Sequence, residues 1–343
     1  MAGRLRRIQA AWSARVQAMH WRRWKNAMTS KQMVLFYRDF RGFTGGHLKV
    51  WHYFNHVRYS NRYQPCIAFS TDTVWNDANP WLPVRQQALP IWDAEQASIL
   101  FLAGMDWTVL NEAQRHSPTK PVINLIQHVR HADPDQPLYQ YLAHRAVRIC
   151  VSEPVSQALH ATGRVNGPLF TIPNGIELVE SPLLVKPWEA RHLDILIVGI
   201  KQPVLANEIH RFLNVSDQRV EMLTQPLPRP VFLQRLGDAK ITVFLPHATE
   251  GFYLPALEGF ALGTLVICPD CIGNRTFCLT GENCLQPPYT VESLLNAVQK
   301  ALYMSSHERQ FFLKSAQQMA QQYSLLEERR SFLKILQQIE AIW

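Results

Sequence analysis

From Lys31 onward, short apolar runs alternate with longer stretches in which apolar residues return every three or four positions. The runs at 33–37, 65–69, 98–103, 122–126, 148–151 and 170–172 predict strands, and the intervening periodic stretches at 46–57, 138–146 and 154–161 predict helices. Pro173-Asn174-Gly175 breaks this rhythm, and the stretch through Glu180-Ser181-Pro182 and Lys186-Pro187 reads as a linker. The rhythm restarts with strands at 193–198, 219–223, 241–245 and 265–268 and helices at 204–212, 230–236 and 254–262, and from Val291 the chain is helical to Trp343. Strands alternating with helices imply parallel sheets wrapped by helices, hence an α/β protein. The expected units are an N-terminal domain over 29–180, a second domain over 188–322 and a C-terminal helix over 323–343, for which a crossing back to the first domain is left open. Two such domains in tandem leave a cleft, and open α/β sheets bind ligands at the C-terminal ends of their strands.

Ahead of this pattern lies a different one. Residues 1–28 predict a basic amphipathic helix, with Leu5, Ile8, Trp12, Val16 and Met19 at helical spacing. Arg4, Arg6, Arg7, Arg15, Arg22, Arg23 and Lys25 supply seven of the eight formal net positive charges of the chain. Trp12, Trp21 and Trp24 accompany them. A cationic face with tryptophans suits an anionic membrane surface, with Arg4, Arg7, Trp12, Arg15, Trp21, Arg22, Arg23 and Trp24 as contacts. Packing of this helix on the protein itself or on a partner is the alternative. Because the rest of the chain is nearly neutral, an extended nucleic-acid surface is not expected.

The chain is 47% hydrophobic and 18% charged, enough apolar material for two cores. No run approaches the roughly 18–20 apolar residues that span a bilayer, and Arg and Trp interrupt every candidate signal core at the N-terminus. The expectation is a cytoplasmic protein, peripheral on the inner face of the cell membrane. Cys268, Cys271, Cys278 and Cys284 open like a zinc site, but six residues separate the pairs, too few for the usual paired-ligand spacing. They are expected to be buried or half-buried thiols, as are Cys66 and Cys150.

The segment from His247 to Gly263 carries the most chemical information. A strand runs into a loop containing Glu250 and then into a helix with Pro255 in its first turn, where proline is favoured. Amides at such a helix start form an anion site, and Glu250 and Glu258 can accept hydrogen bonds from hydroxyls at two points along one ligand. Spacing alone leaves open a plainer reading, with Glu250 as a cap and Glu258 as surface charge.

The pattern Glu250-x7-Glu258, in its Glu-Gly-Phe-x-Leu-Pro context, resembles the donor signature of retaining family-4 glycosyltransferases of the GT-B fold. Phe43-Thr44-Gly45-Gly46-His47 resembles the Gly-rich N-terminal loop of that family, and Val151-Ser152-Glu153 and Ile172-Pro173-Asn174-Gly175-Ile176-Glu177 resemble its segments before the interdomain linker. Gly281-Glu282-Asn283-Cys284-Leu285 is similar to its short Gly-x-Asn-Gly-Leu turn, with Cys284 in place of glycine. The resemblance spans roughly residues 32–305. It implies two Rossmann-like domains facing each other across a cleft, and transfer of a sugar from a nucleotide-sugar donor to a polysaccharide or glycolipid acceptor, such as a lipid-linked glycan, with retention and without a metal or other cofactor.

The same resemblance implies roles for individual residues. Glu258 would bind the donor's ribose hydroxyls and Glu250 those of the transferred sugar, while the backbone at Phe252, Tyr253 and Leu254 would face the sugar and phosphates. Gly45 and Gly46 would let the chain approach the diphosphate closely. His128 would stand near the donor sugar and acceptor, although a structural imidazole is the alternative; His128, His131 and Asp133 are too crowded to be expected as metal ligands. The family's arginine after the glycine of the first C-domain strand is replaced by Ile200, and its later lysine is missing. Lys201, or else Arg275, is the candidate to neutralise the diphosphate. A degenerate transferase acting as a scaffold remains the non-enzymatic alternative, and an epimerase or phosphorylase the enzymatic one.

Overall fold

A computed structural model describes residues 31–177, 185–215 and 217–343. The basic segment over 1–28, with all its expected membrane contacts, lies outside the described residues, as does most of the expected linker. The N-terminal half runs β1 (Gln32–Arg38), α1 (Gly45–Val57), β2 (Tyr63–Phe69), β3 (Ile99–Ala103), α2 (Glu112–His116), β4 (Val122–Ile126), β5 (Val147–Cys150), α3 (Glu153–Ala161) and β6 (Leu169–Thr171). The second half runs β7 (Leu193–Val198), α4 (Pro203–Leu213), β8 (Val220–Leu223), α5 (Arg229–Asp238), β9 (Ala239–Phe244), α6 (Leu254–Leu262), β10 (Leu265–Ile267), β11 (Cys284–Leu285), α7 (Val291–Leu302), α8 (Ser306–Gln322), α9 (Leu325–Gln337) and α10 (Ile339–Ile342).

The described strands form two sheets, ordered β2-β1-β3-β4-β5-β6 and β11-β10-β9-β7-β8. Neighbouring strands in both are parallel. The central strands are buried at every position, the mark of sheets covered on both faces. In each sheet the strand order turns back beside the first strand, next to β1 and next to β7. The carboxyl ends there splay their loops apart and leave a crevice. The fold expected from sequence, two Rossmann-like α/β domains, is the fold observed.

Two local departures have clear causes. The helix predicted over 138–146 shrinks to a 3-10 turn at Tyr139–Ala143. Arg148, fully buried on β5, draws in the carbonyls of Tyr141, Leu142 and His144 at 2.8, 3.0 and 2.6 Å, and those oxygens are then lost to a longer helix. The helical tail after Val291 is divided where Ser305 and Ser324 cap new helices, accepting from the Glu308 and Glu327 amides at 3.2 and 3.3 Å.

Helices α9 and α10 pack against the first domain. The Phe332 ring meets Tyr53 edge-on at 4.9 Å, Trp343 lies under the Arg145 guanidinium at 4.6 Å, and the backbone of Ile176 bonds to Tyr323 and Leu325. Glu328, wholly buried, accepts from the Lys49 ammonium on α1, the Gly175 amide and the His56 ring.

Candidate functional site

The crevice between the sheets takes its shape from the loops after β7, β9 and β4. Helix α6 starts at Leu254 with Pro255 in the next position, and Tyr253 offers it no side-chain cap. Pro255 has no amide hydrogen to satisfy, so the first turn has fewer donors than most. Gly251, just ahead, packs so closely on the first domain that a Cβ there would overlap the Gln127 carbonyl oxygen and crowd His128. Ser152 Oγ donates to the Gly251 carbonyl at 2.9 Å, a hydrogen bond between the domains. On its other side the loop leans on Gly273, whose carbonyl accepts from the Tyr253 amide at 3.1 Å. The side chains of Phe252, Tyr253 and Leu254 are buried, with Phe252 set against Phe277 and Tyr323. The backbone of Phe252 and Tyr253 packs on the Gly273 loop, and the Tyr253 amide is already engaged.

Because β7 and β9 are neighbours, their loops meet. Lys201, following β7, places its ammonium 3.3 Å from Glu250, following β9. His128 enters from the first domain after β4. Its Nδ1 accepts from the Arg130 amide at 3.0 Å, which leaves the proton on Nε2. Burial chiefly, then Arg130, keep this ring below its ordinary pKa; the Glu250 carboxylate pulls the other way, while Lys201 and His247 add to the lowering. Gly45 and Gly46 open α1. A Cβ on Gly45 would touch Leu254 across the crevice, and Gln127 Nε2 donates to the Gly46 carbonyl at 3.3 Å. The structure thus brings Glu250, Lys201, His128, Gly45, Gly46 and the Leu254 side chain together.

Glu258 points inward from the second turn of α6. It is 4% exposed, and the Arg229 guanidinium approaches its Oε1 at 2.7 Å. The contact is a close ion pair between a guanidinium nitrogen and a buried carboxylate oxygen. Burial raises the Glu258 pKa, and Arg229, then Lys49, oppose that rise. Arg275 is placed differently. It grips Asp270 through two nitrogens on the exposed surface, at 2.7 to 3.1 Å.

Arg229, Lys49 and Ser152 are absent from the sequence-based set. Arg229 falls just before the helix predicted from Pro230, and only its Pro-Arg-Pro setting marks it. Lys49 lies one turn past Gly45 in a helix read as ordinary. Chemically, the crevice offers two carboxylates as hydroxyl acceptors, a helix start without a side-chain cap, and one lysine and one arginine bordering the carboxylates. A separate cavity of about 360 Å³, lined by Phe54, Arg58, Gln64, Cys66 and Val84 among others, contains none of these residues.

No family model matches this sequence, and no curated protein matches it. Solved structures do match. The chain is similar to sucrose-phosphate synthase from Thermosynechococcus elongatus, with a TM-score of 0.69 at 14% identity over 91% of this chain and 100% of that one. It is similar to Anabaena Alr3699/HepE in complex with UDP and glucose, with a TM-score of 0.67 at 11% identity over 89% of this chain and 99% of that one. The apo form of the lipopolysaccharide outer core galactosyltransferase WaaB gives 0.64 at 14% identity, over 89% of this chain and 98% of that one. At these identities the likeness shows architecture, and the architecture is GT-B: two Rossmann-like domains closing on a shared crevice.

Proposed function

We propose that this chain is a glycosyltransferase that moves a sugar from a nucleotide-sugar donor to a glycan or lipid-linked acceptor with retention of anomeric configuration. The observation that carries the reading is the pairing of both crevice carboxylates with cations, Glu250 with Lys201 and Glu258 with Arg229, on either side of an uncapped helix start. A nucleotide-sugar has vicinal hydroxyls at both ends and a diphosphate between them, the same order as carboxylate, amides, carboxylate. Neighbours of the same fold hold UDP and UDP-glucose, which supports a donor of this class.

In this reading Glu258 accepts from the ribose, Glu250 accepts from the sugar, and Lys201 leaves Glu250 to neutralise the diphosphate as it departs. Amides at the start of α6 share that charge. The departing diphosphate helps take the acceptor proton, and His128, donating from Nε2, orients the sugar. The reading needs no metal. Among the described residues no helix is long and apolar enough to cross a membrane; attachment to an anionic membrane surface, proposed for residues 1–28, rests on the sequence.

Thermal shift against UDP-, GDP-, ADP- and dTDP-sugars tests the reading, since stabilisation by one nucleotide class is expected. Glu258→Ala should weaken nucleotide affinity, and Glu250→Ala should chiefly lower kcat. No response to any donor by folded protein would favour a non-catalytic scaffold.

A further inference from the structure

A carboxylate that receives two ribose hydroxyls must be charged, since a protonated acid turns one acceptor into a donor. Glu258 is buried to 4% exposure, where charge is hard to keep. The cations facing it come from two elements, Arg229 on α5 and Lys49 on α1. Lys49 is committed elsewhere: its ammonium donates to Glu328, to the Gly175 carbonyl at 3.0 Å and toward His52 Nδ1 at 3.1 Å. His56, also close by, bonds Glu328. Among the described residues, Glu258 is the sole ion-pair partner of Arg229.

Backbone geometry aims Arg229. It is the first residue of α5, with Pro228 before it at φ −52° and Pro230 after it. The ring of Pro228 fixes its own φ, and Pro230 narrows the conformations open to Arg229. The Arg229 side chain is 24% exposed while its partner is buried, so the arginine reaches from the surface to the carboxylate.

We propose that Arg229 is a positioning residue for Glu258, holding the buried carboxylate charged and oriented so that both oxygens can accept from the vicinal hydroxyls of a ribose. This rests on the nucleotide-sugar reading above. Arg229 acts through Glu258 and makes no bond to the diphosphate. Removing it would let Glu258 take up a proton at higher pH, and the affinity that depends on the ribose hydroxyls would fall with it.

The test is calorimetric titration from pH 5.5 to 8.5 with whichever of UDP, GDP and ADP binds the wild type, and with its 2′,3′-dideoxy counterpart. Arg229→Met is expected to weaken the ribonucleotide about tenfold at pH 7 and to move the acid-side loss of affinity up by about one pH unit. The dideoxy ligand should change less than about twofold, because it has no hydroxyls for Glu258 to receive. Arg229→Lys should restore most of the loss, and in a Glu258→Gln background Arg229→Met should add little. Equal weakening of both ligands would overturn the inference, placing Arg229 on the diphosphate or in a purely structural role. So would an unmoved pH profile. If Arg229→Met does not fold, Arg229→Gln supplies the same comparison. Wild-type protein that binds no nucleoside diphosphate would remove the nucleotide-sugar reading and this inference together; wild-type binding with a silent Arg229→Met removes the inference alone.

Discussion

Replacing Glu328 by glutamine tests whether the contact between the C-terminal helices and the first domain is electrostatically matched. The carboxylate is fully buried and has three donors: the Lys49 ammonium, the Gly175 amide and the His56 ring, the last at 2.9 Å. Glutamine preserves the shape but removes the charge, and one acceptor becomes an NH₂ facing donors. Lys49 is then a buried cation with a carbonyl and an imidazole for company. Removing one partner of a buried pair costs about 3–5 kcal/mol, a large part of the roughly 5–15 kcal/mol that holds a typical domain folded. Burial already lowers the Lys49 pKa, against the pull of Glu328, and Glu328→Gln lowers it further. Because the unfolded chain then binds the proton more readily than the folded one, the loss of stability should shrink as pH rises from 7 toward the ordinary lysine value near 10.4. Urea melts followed by tryptophan fluorescence at pH 7 and pH 9 would measure it. The Lys49→Met, Glu328→Leu double variant should recover most of the loss, since it leaves no buried charge. A cost below about 0.5 kcal/mol, a deficit that grows with pH, or a double variant as weak as the sum of the singles would refute the reasoning.

Gly251→Ala should part the domains, because its methyl overlaps the Gln127 carbonyl. About 1–3 kcal/mol of stability and most of the donor affinity should be lost, whereas Gly42→Ala, with open space around it, should match wild type in the same melts and titrations. All six cysteines are buried and unpaired, and burial pushes Cys66 and Cys150 up to about 12. Native protein should therefore react slowly with Ellman's reagent and release six thiols only in denaturant; rapid labelling of even one would contradict the packing. Asp106 is pushed up to about 6 by burial, with Arg38 at 2.7 Å opposing the rise. Its folded pKa exceeds the unfolded value near 3.9, so its contribution should decline as pH rises from about 4 to about 6. In Arg38→Met the carboxyl should titrate above 6 by carbon NMR, with a destabilisation at pH 7 that eases at pH 5.

Much of the fold is legible because parallel strands buried on both faces must be continuously apolar: 122–126 and 193–198 coincide with β4 and β7 residue for residue. The Leu254–Leu262 helix is equally plain, with proline at its start and Gly263 at φ +70° closing it. The two-residue β11 is too short to carry a period, and the 138–146 helix fails because of Arg148, whose pull on three carbonyls is invisible until β5 is buried. The site divides in the same way. Glu250, Lys201 and Gly45 follow strands and so fall on the crevice by topology. Lys49 sits inside a helical pattern and Arg229 just ahead of one, and apart from the prolines flanking Arg229 nothing local distinguishes them from solvated cations. Their meaning depends on a carboxylate elsewhere in the chain, Glu258 for one and Glu328 for the other. Arg275, which looks equally available in sequence, is held by Asp270 five residues away.

The return of α9 and α10 to the first domain also fixes an order of events during synthesis. β1 through β6 leave the ribosome first, yet Tyr53 and Phe101 wait for Phe332 to cover them, and Lys49 waits for Glu328. The whole second domain must be translated in between. The domain made first is thus the one completed last, exposing an apolar face and a buried-to-be lysine while its neighbour folds. The crevice shares that delay, since Lys49 belongs to the helix that Gly45 and Gly46 open. A nascent chain cut short before Ser324 would carry Glu250 and Glu258 on a largely finished second domain, facing a first domain not yet able to close on it.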